Sequence, residues 1–322
     1  MSQAGQAVAG STNRSSVERN FDEPLFVSVV IAAGMGAGLL VPGLANTLKP
    51  LLLPSLFAIV LASLFPFRAM LVRSLFGFDR RVMIVVAWLQ IALPLLVLAG
   101  GLALDVPDRI MPFVLLSACS GAVFATPTLA GLFDLDRAHA ARIMILSTLL
   151  MPISICFFVG PRVGLDNVAA FQTFGWRVLV FLIIPALIVL AYRLVELGGL
   201  KGASEAVDRQ APRIGVLALS VFAIAIMAGV AEGFASQPAY TLSLFLGALC
   251  VNFGMLISTR LALGSLGAET AHTASIVAMT RNVGLAYAMV AAFFGPELAT
   301  YVALCQVPLL VGPLIVRLRF ST

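Results

Sequence analysis

VMIVVAWLQIALPLLVLAGGLAL, residues 82–104, contains no charged residue and a single amide, Gln90. A helix rises 1.5 Å per residue, so roughly 20 such residues cross the ~30 Å hydrocarbon core of a bilayer. Outward from this stretch the pattern recurs at 24–43, 50–67, 109–132, 137–160, 174–195, 213–231, 239–260, 268–293 and 297–318. The sequence therefore predicts an all-α polytopic membrane protein with about ten transmembrane helices. Composition agrees: 61 % of the chain is hydrophobic and 11 % charged. Soluble domains are about half apolar and about a quarter charged, and no single soluble core could hide this much apolar surface. The formal charge of +5 raises nucleic acid as a partner. Its basic residues lie between apolar runs rather than on one face, so the expected partner is the lipid bilayer and not nucleic acid.

Those basic residues orient the chain. Fifteen of the twenty fall on the side shared by both termini, against Lys49, Arg109, Arg162 and Arg177 on the other. Positive charge accumulates in the cytoplasm, which predicts cytoplasmic termini in a bacterial inner membrane or a plasma membrane. Residues 1–23 are polar and lack the charged-then-apolar order of a cleaved signal, so they are expected to be a disordered cytoplasmic tail. The most polar internal segment, 196–212, reads as a cytoplasmic linker between a five-helix half at 24–195 and another at 213–322. Five is odd, so the halves would enter the membrane in opposite senses, as two inverted repeats do in secondary transporters. Further loops are expected at 67–81 and 161–173. Cys119, Cys156, Cys250 and Cys305 lie inside apolar runs and read as small hydrophobes.

All fifteen acidic residues fall in tails, loops or span ends. Arg281 does not: it sits mid-way along the run 268–293 with no acidic neighbour in the apolar runs. A charge at the bilayer centre costs at least ~2.5–3.5 kcal/mol, so it calls for a use. One reading is a guanidinium that only binds backbone carbonyls at a helix break. The other is a fixed cation whose planar fork holds an anionic substrate. Thr280, Asn282 and Gly284 surround it, and Gly284 could loosen the helix. The fourth run is matched in kind: Ser117 to Thr128 is rich in small residues, and Pro127 is expected to free a carbonyl about one turn back. Ser147 and Thr148 precede Pro152, where they could serve a site or cap freed carbonyls. Gln90 lies four residues before Pro94.

At these residues the chain resembles the bile acid:sodium symporter superfamily. Arg281-Asn282-Val283-Gly284-Leu285-Ala286 is similar to its Gln-Asn-x-Gly-Leu-Ala. Phe293-Phe294-Gly295-Pro296-Glu297 and Val311-Gly312-Pro313-Leu314 fit as well, as do Cys119-Ser120-Gly121 and Ser147-Thr148-Leu149 with Pro152. The resemblance implies a ten-helix, five-plus-five inverted repeat. It also implies sodium ligands: a ninth-helix glutamate, the Gln, and a Ser-Asn pair of the fourth helix. Those positions read Val277, Arg281 and Ala125-Thr126 here. An apolar side chain and a cation are the reverse of what sodium needs, so sodium coupling is expected to be altered or absent, with no cofactor. The expected function is secondary transport of a small organic anion, with Arg281, Asn282, Thr280, Thr126, Thr148, Ser147 and Gln90 as candidate binding residues. An efflux carrier for an organic acid and a non-transporting membrane protein are the alternatives, and the oligomeric state stays open. An enzyme is not expected: the nearest thing to a ligand cluster is Asp134, Asp136 and His139, and helix capping explains Asp136 better.

Overall fold

The computed structural model describes residues 24–69, 79–133, 135–165, 167–198 and 201–320. The expected tail 1–23 lies outside the described residues, as do 70–78 of the expected 67–81 loop. Among the described residues there is no strand, only helices and one isolated bridge. After α1 (Pro24–Leu40) come α2 (Pro42–Phe67), α3 (Arg80–Ala103), α4 (Met111–Cys119), α5 (Thr126–Leu132) and α6 (Arg137–Phe158). Then follow α7 (Val168–Leu197), α8 (Gln210–Ser236), α9 (Pro238–Ala262), α10 (Ala268–Met279), α11 (Val283–Val290) and α12 (Glu297–Phe320). Six of these, α2, α3, α6, α7, α8 and α9, are long and apolar enough to cross a membrane. The chain is an integral membrane protein by that measure.

Two apolar runs are not continuous helices. Residues 109–132 divide into α4 and α5, and 268–293 into α10 and α11. Pro127 corrects the expectation that it frees a carbonyl one turn back within a span: it sits in the first turn of α5, where a missing N–H costs nothing, and the break lies upstream at 120–125. Gly284 likewise lies inside α11, after the break at 280–282. Most of the expected loop 196–212 is helical, because the helix that becomes α8 already begins at Lys201.

Side-chain caps set several starts. Asp79 accepts from the Arg81 amide, Asn167 from Ala170 at 2.8 Å, and Asp136 from Ala138 and His139 at 2.7 and 3.1 Å. Each satisfies an amide that the first turn leaves orphaned. Prolines shape the interiors. Trp88–Ala92 in α3 and Leu179–Ile183 in α7 form π-helical turns, each followed two residues later by Pro94 or Pro185. Since Pro94 has no N–H, the π turn passes Leu93 N–H back to Trp88 and leaves the Leu89 and Gln90 carbonyls without helical donors.

The helices pack as two groups. α8 lies on α1 and α2, and α7 also rests on α2. Arg68 at the end of α2 holds Glu196 of α7 with Nε and Nη2, at 3.1 and 3.2 Å, and Arg193 joins the same carboxylate at 2.6 Å. The second group sets α9 against α10, α12 and α4, and α6 against α3, α5 and α10. Trp88 Nε1 donates to Thr259 Oγ1 at 2.9 Å between α3 and α9, and Ser117 and Tyr301 share a 2.7 Å hydrogen bond between α4 and α12. α11 touches the first group through α2 and α7, where Arg177 donates to the Ala288 carbonyl at 2.8 Å.

Small residues let α1 approach α8. A Cβ on Gly38 would overlap the Ile224 carbonyl and stand 2.9 Å from Met227 Cβ, and one on Gly34 would meet Ala223 Cβ at 2.9 Å. Close backbone approach of this kind holds helices together where lipid removes the hydrophobic drive. Gly38→Val is therefore expected to cost about 1–3 kcal/mol through overpacking, read as a lower unfolding midpoint in detergent. Gly36→Ala is the control, since a Cβ there meets nothing within 4 Å; its midpoint should stay at the wild-type value.

Candidate functional site: crossed helix breaks

The two interrupted helices cross at their breaks and pair with each other. Val123 N–H donates to the Thr280 carbonyl at 3.0 Å and Asn282 N–H to the Gly121 carbonyl at 2.7 Å, which brackets an antiparallel bridge between Ala122 and Arg281. Four helix ends therefore meet at one point. The ends of α4 and α10 bring carbonyls that their helices no longer satisfy.

Arg281 answers those of α4, together with one from α3. Its Nη1 donates to Ser120 at 2.8 Å, and its Nη2 to Ala118 at 3.0 Å and to Leu89 at 2.8 Å. The first two acceptors end α4, where the helix dipole favours a cation. The third is the carbonyl that the π turn and Pro94 set free. Arg281 is 2 % exposed, and among the described residues no carboxylate lies within ion-pair distance of it. Its Nε has no hydrogen-bond partner. Both Nη2 donors are thus spent on backbone, and either edge of the fork needs Nη2, so in this conformation it does not present a free bidentate edge to a ligand.

The remaining sequence-predicted residues all gather here. Gln90 Nε2 donates to the same Ser120 carbonyl at 3.3 Å, while its Oε1 is buried without a partner. The Gln90 carbonyl freed by Pro94 accepts from Ser154 Oγ at 2.9 Å. Ser147 Oγ accepts the Ala122 amide at 3.3 Å and donates to Met144 at 3.1 Å. Thr148 Oγ1 is buried and unpartnered beside Gly121, so neither hydroxyl caps a carbonyl freed by Pro152. Thr126 and Thr280 turn their hydroxyls onto Val123 and Ile276, at 2.6 and 2.8 Å. Asn282 caps α11 through Oδ1 and the Leu285 amide at 3.0 Å.

Sequence reasoning missed Ser154, which was readable as the hydroxyl able to serve a proline-freed carbonyl. It also missed the N-cap role of Asn282, which Asn at N-cap and an amide three residues on could have signalled. Sodium does not fit this arrangement: Val277 is fully buried and apolar, and a guanidinium already occupies the carbonyls of the break. Among the described residues no three His, Cys, Asp or Glu side chains are placed to hold a metal ion, and Asp134 lies outside the described residues.

A cavity of about 410 Å³ opens elsewhere, lined by parts of α2, α8, α9, α11 and α12. It includes Lys49, Glu232, Tyr240, Tyr287 and Glu297, and none of the residues singled out around the break lines it. No protein-family model matches the chain, and no curated protein is detectably similar to it.

Proposed function

We propose that this protein is a secondary transporter of a small organic anion in a bacterial inner or plasma membrane, with both termini cytoplasmic. In this reading the ten apolar runs form two inverted five-helix halves, like those of the bile acid:sodium symporters that the sequence resembles. The observation that carries it is the pair of crossed breaks, with the guanidinium of one bonded to the carbonyls that end α4 at the other and to one of α3. Interrupted helices at membrane depth are tolerated where they are buried in protein or line a cavity, and transporters use them to bind ions and substrate. Arg281 would supply, as a fixed charge, what a bound sodium supplies in related carriers, acting on an anion by its field rather than by a bidentate grip. The three carbonyl bonds of Arg281 also favour a second reading, in which the crossing is only a scaffold and nothing is carried.

Uptake of labelled organic anions into liposomes holding the purified protein separates these readings. The expected result is flux that is unchanged when a sodium gradient is removed. Flux driven by sodium would sink the fixed-cation idea while leaving transport intact, and the absence of flux for every anion would favour the scaffold.

A further inference from the structure

The cavity between α2, α8, α9, α11 and α12 carries charges of both signs. Lys49 from α2, Glu232 from α8 and Glu297 from α12 all line it. All three are exposed, and among the described residues none lies within ion-pair distance of an opposite charge. The same wall carries aromatic rings, Tyr240, Tyr287 and Phe294, with Arg109 covering the Tyr240 ring at 4.7 Å. A purely anionic ligand would meet Lys49 but be opposed by two carboxylates. A bare cation would satisfy the carboxylates and be opposed by Lys49. A ligand carrying an acid and an amine on one apolar skeleton is attracted by charges of both signs.

We propose that this cavity binds a zwitterion of the amino-acid class, its ammonium toward Glu232 and Glu297, its carboxylate toward Lys49 and its apolar part against the aromatic rings. The volume of about 410 Å³ is within the range of small-molecule pockets. This site is separate from the transport reading above, whose substrate is an anion, and does not rest on it.

Three probes with one skeleton test it: L-phenylalanine, 3-phenylpropionate, which lacks the amine, and phenethylamine, which lacks the acid. Binding is measured by calorimetry on the full chain in lipid nanodiscs. L-Phenylalanine should bind about tenfold more tightly than either partial analogue, since contacts of exposed charges are modest singly and add across the site. Glu232→Gln/Glu297→Gln should abolish that preference over 3-phenylpropionate, and Lys49→Gln should abolish the preference over phenethylamine. These side chains are exposed and unpaired, so elution of the variants at the wild-type volume checks their fold. Equal binding of L-phenylalanine and 3-phenylpropionate would overturn the proposal, as would no binding of any probe. Binding with the expected preference upholds the site whether or not any anion is carried, and absence of anion flux bears on the transport reading alone.

Discussion

Arg281→Met should lower the stability of the protein by roughly 2–5 kcal/mol, because it removes all three of the side chain's hydrogen bonds, each worth ~0.6–1.7 kcal/mol on the scale of bonds between membrane helices. The thioether fills similar volume but donates nothing, so the carbonyls of Leu89, Ala118 and Ser120 lose the cation that holds them. Relief of a buried charge works the other way and keeps the expected loss below what unpaired carbonyls alone would cost. Unfolding midpoints in an SDS titration would read the balance. Arg281→Lys should fall between the two proteins, since an ammonium keeps the charge but cannot span carbonyls from α3 and α4 with a planar fork. A methionine variant as stable as wild type would mean that desolvation cancels the bonds, and the guanidinium would then not be what holds the break.

Gly121→Ala is the second large effect expected. A Cβ at Gly121 would stand 2.8 Å from both Thr148 Cα and Thr148 Oγ1. The hydroxyl can rotate away, but the Cα belongs to the backbone of α6 and cannot. The crossing strand must then shift, and the 2.7 Å bond from Asn282 N–H to the Gly121 carbonyl shifts with it. Overpacking of this kind costs about 1–3 kcal/mol, and here it also disturbs the pairing of the two breaks. Thr148→Ala alone should be close to neutral, because its Oγ1 has no partner to lose. In the double variant the hydroxyl clash goes and the Cα clash stays, so the unfolding midpoint should recover only in part. Full recovery would show that the contact is a side-chain one and that the strand tolerates a Cβ.

The helical class and most run positions were legible because a bilayer demands long apolar stretches, and the run 82–104 was bounded to within a few residues. The breaks were legible only as suspicion. Small residues and Pro127 marked the fourth run, but a proline in a first helical turn and a proline at a kink look alike in sequence. Arg281 was found because a charge in an apolar run is conspicuous. Where its fork points was not, since that depends on carbonyls set free by Pro94 in α3 and by the end of α4, distant in the chain. The segment 196–212 misled for a related reason: its polarity reads as loop, yet Lys-, Glu- and Ala-containing sequence propagates a helix well once α8 is anchored. The cavity charges Lys49, Glu232 and Glu297 passed as ordinary span-end residues, because their convergence is a product of packing alone.

The crossing also bears on how the chain is made. Ser120 and the arginine that caps its carbonyl are separated by 161 positions. At ~5–20 residues per second, the ribosome needs roughly 8–32 s to travel from one to the other. For that interval the nascent first break has no guanidinium, and its carbonyls must stay hydrated or sheltered by the insertion machinery. The end of α4 is thus completed only by the residue between α10 and α11, so truncated chains ending before residue 281 should be recognised as unfinished and degraded.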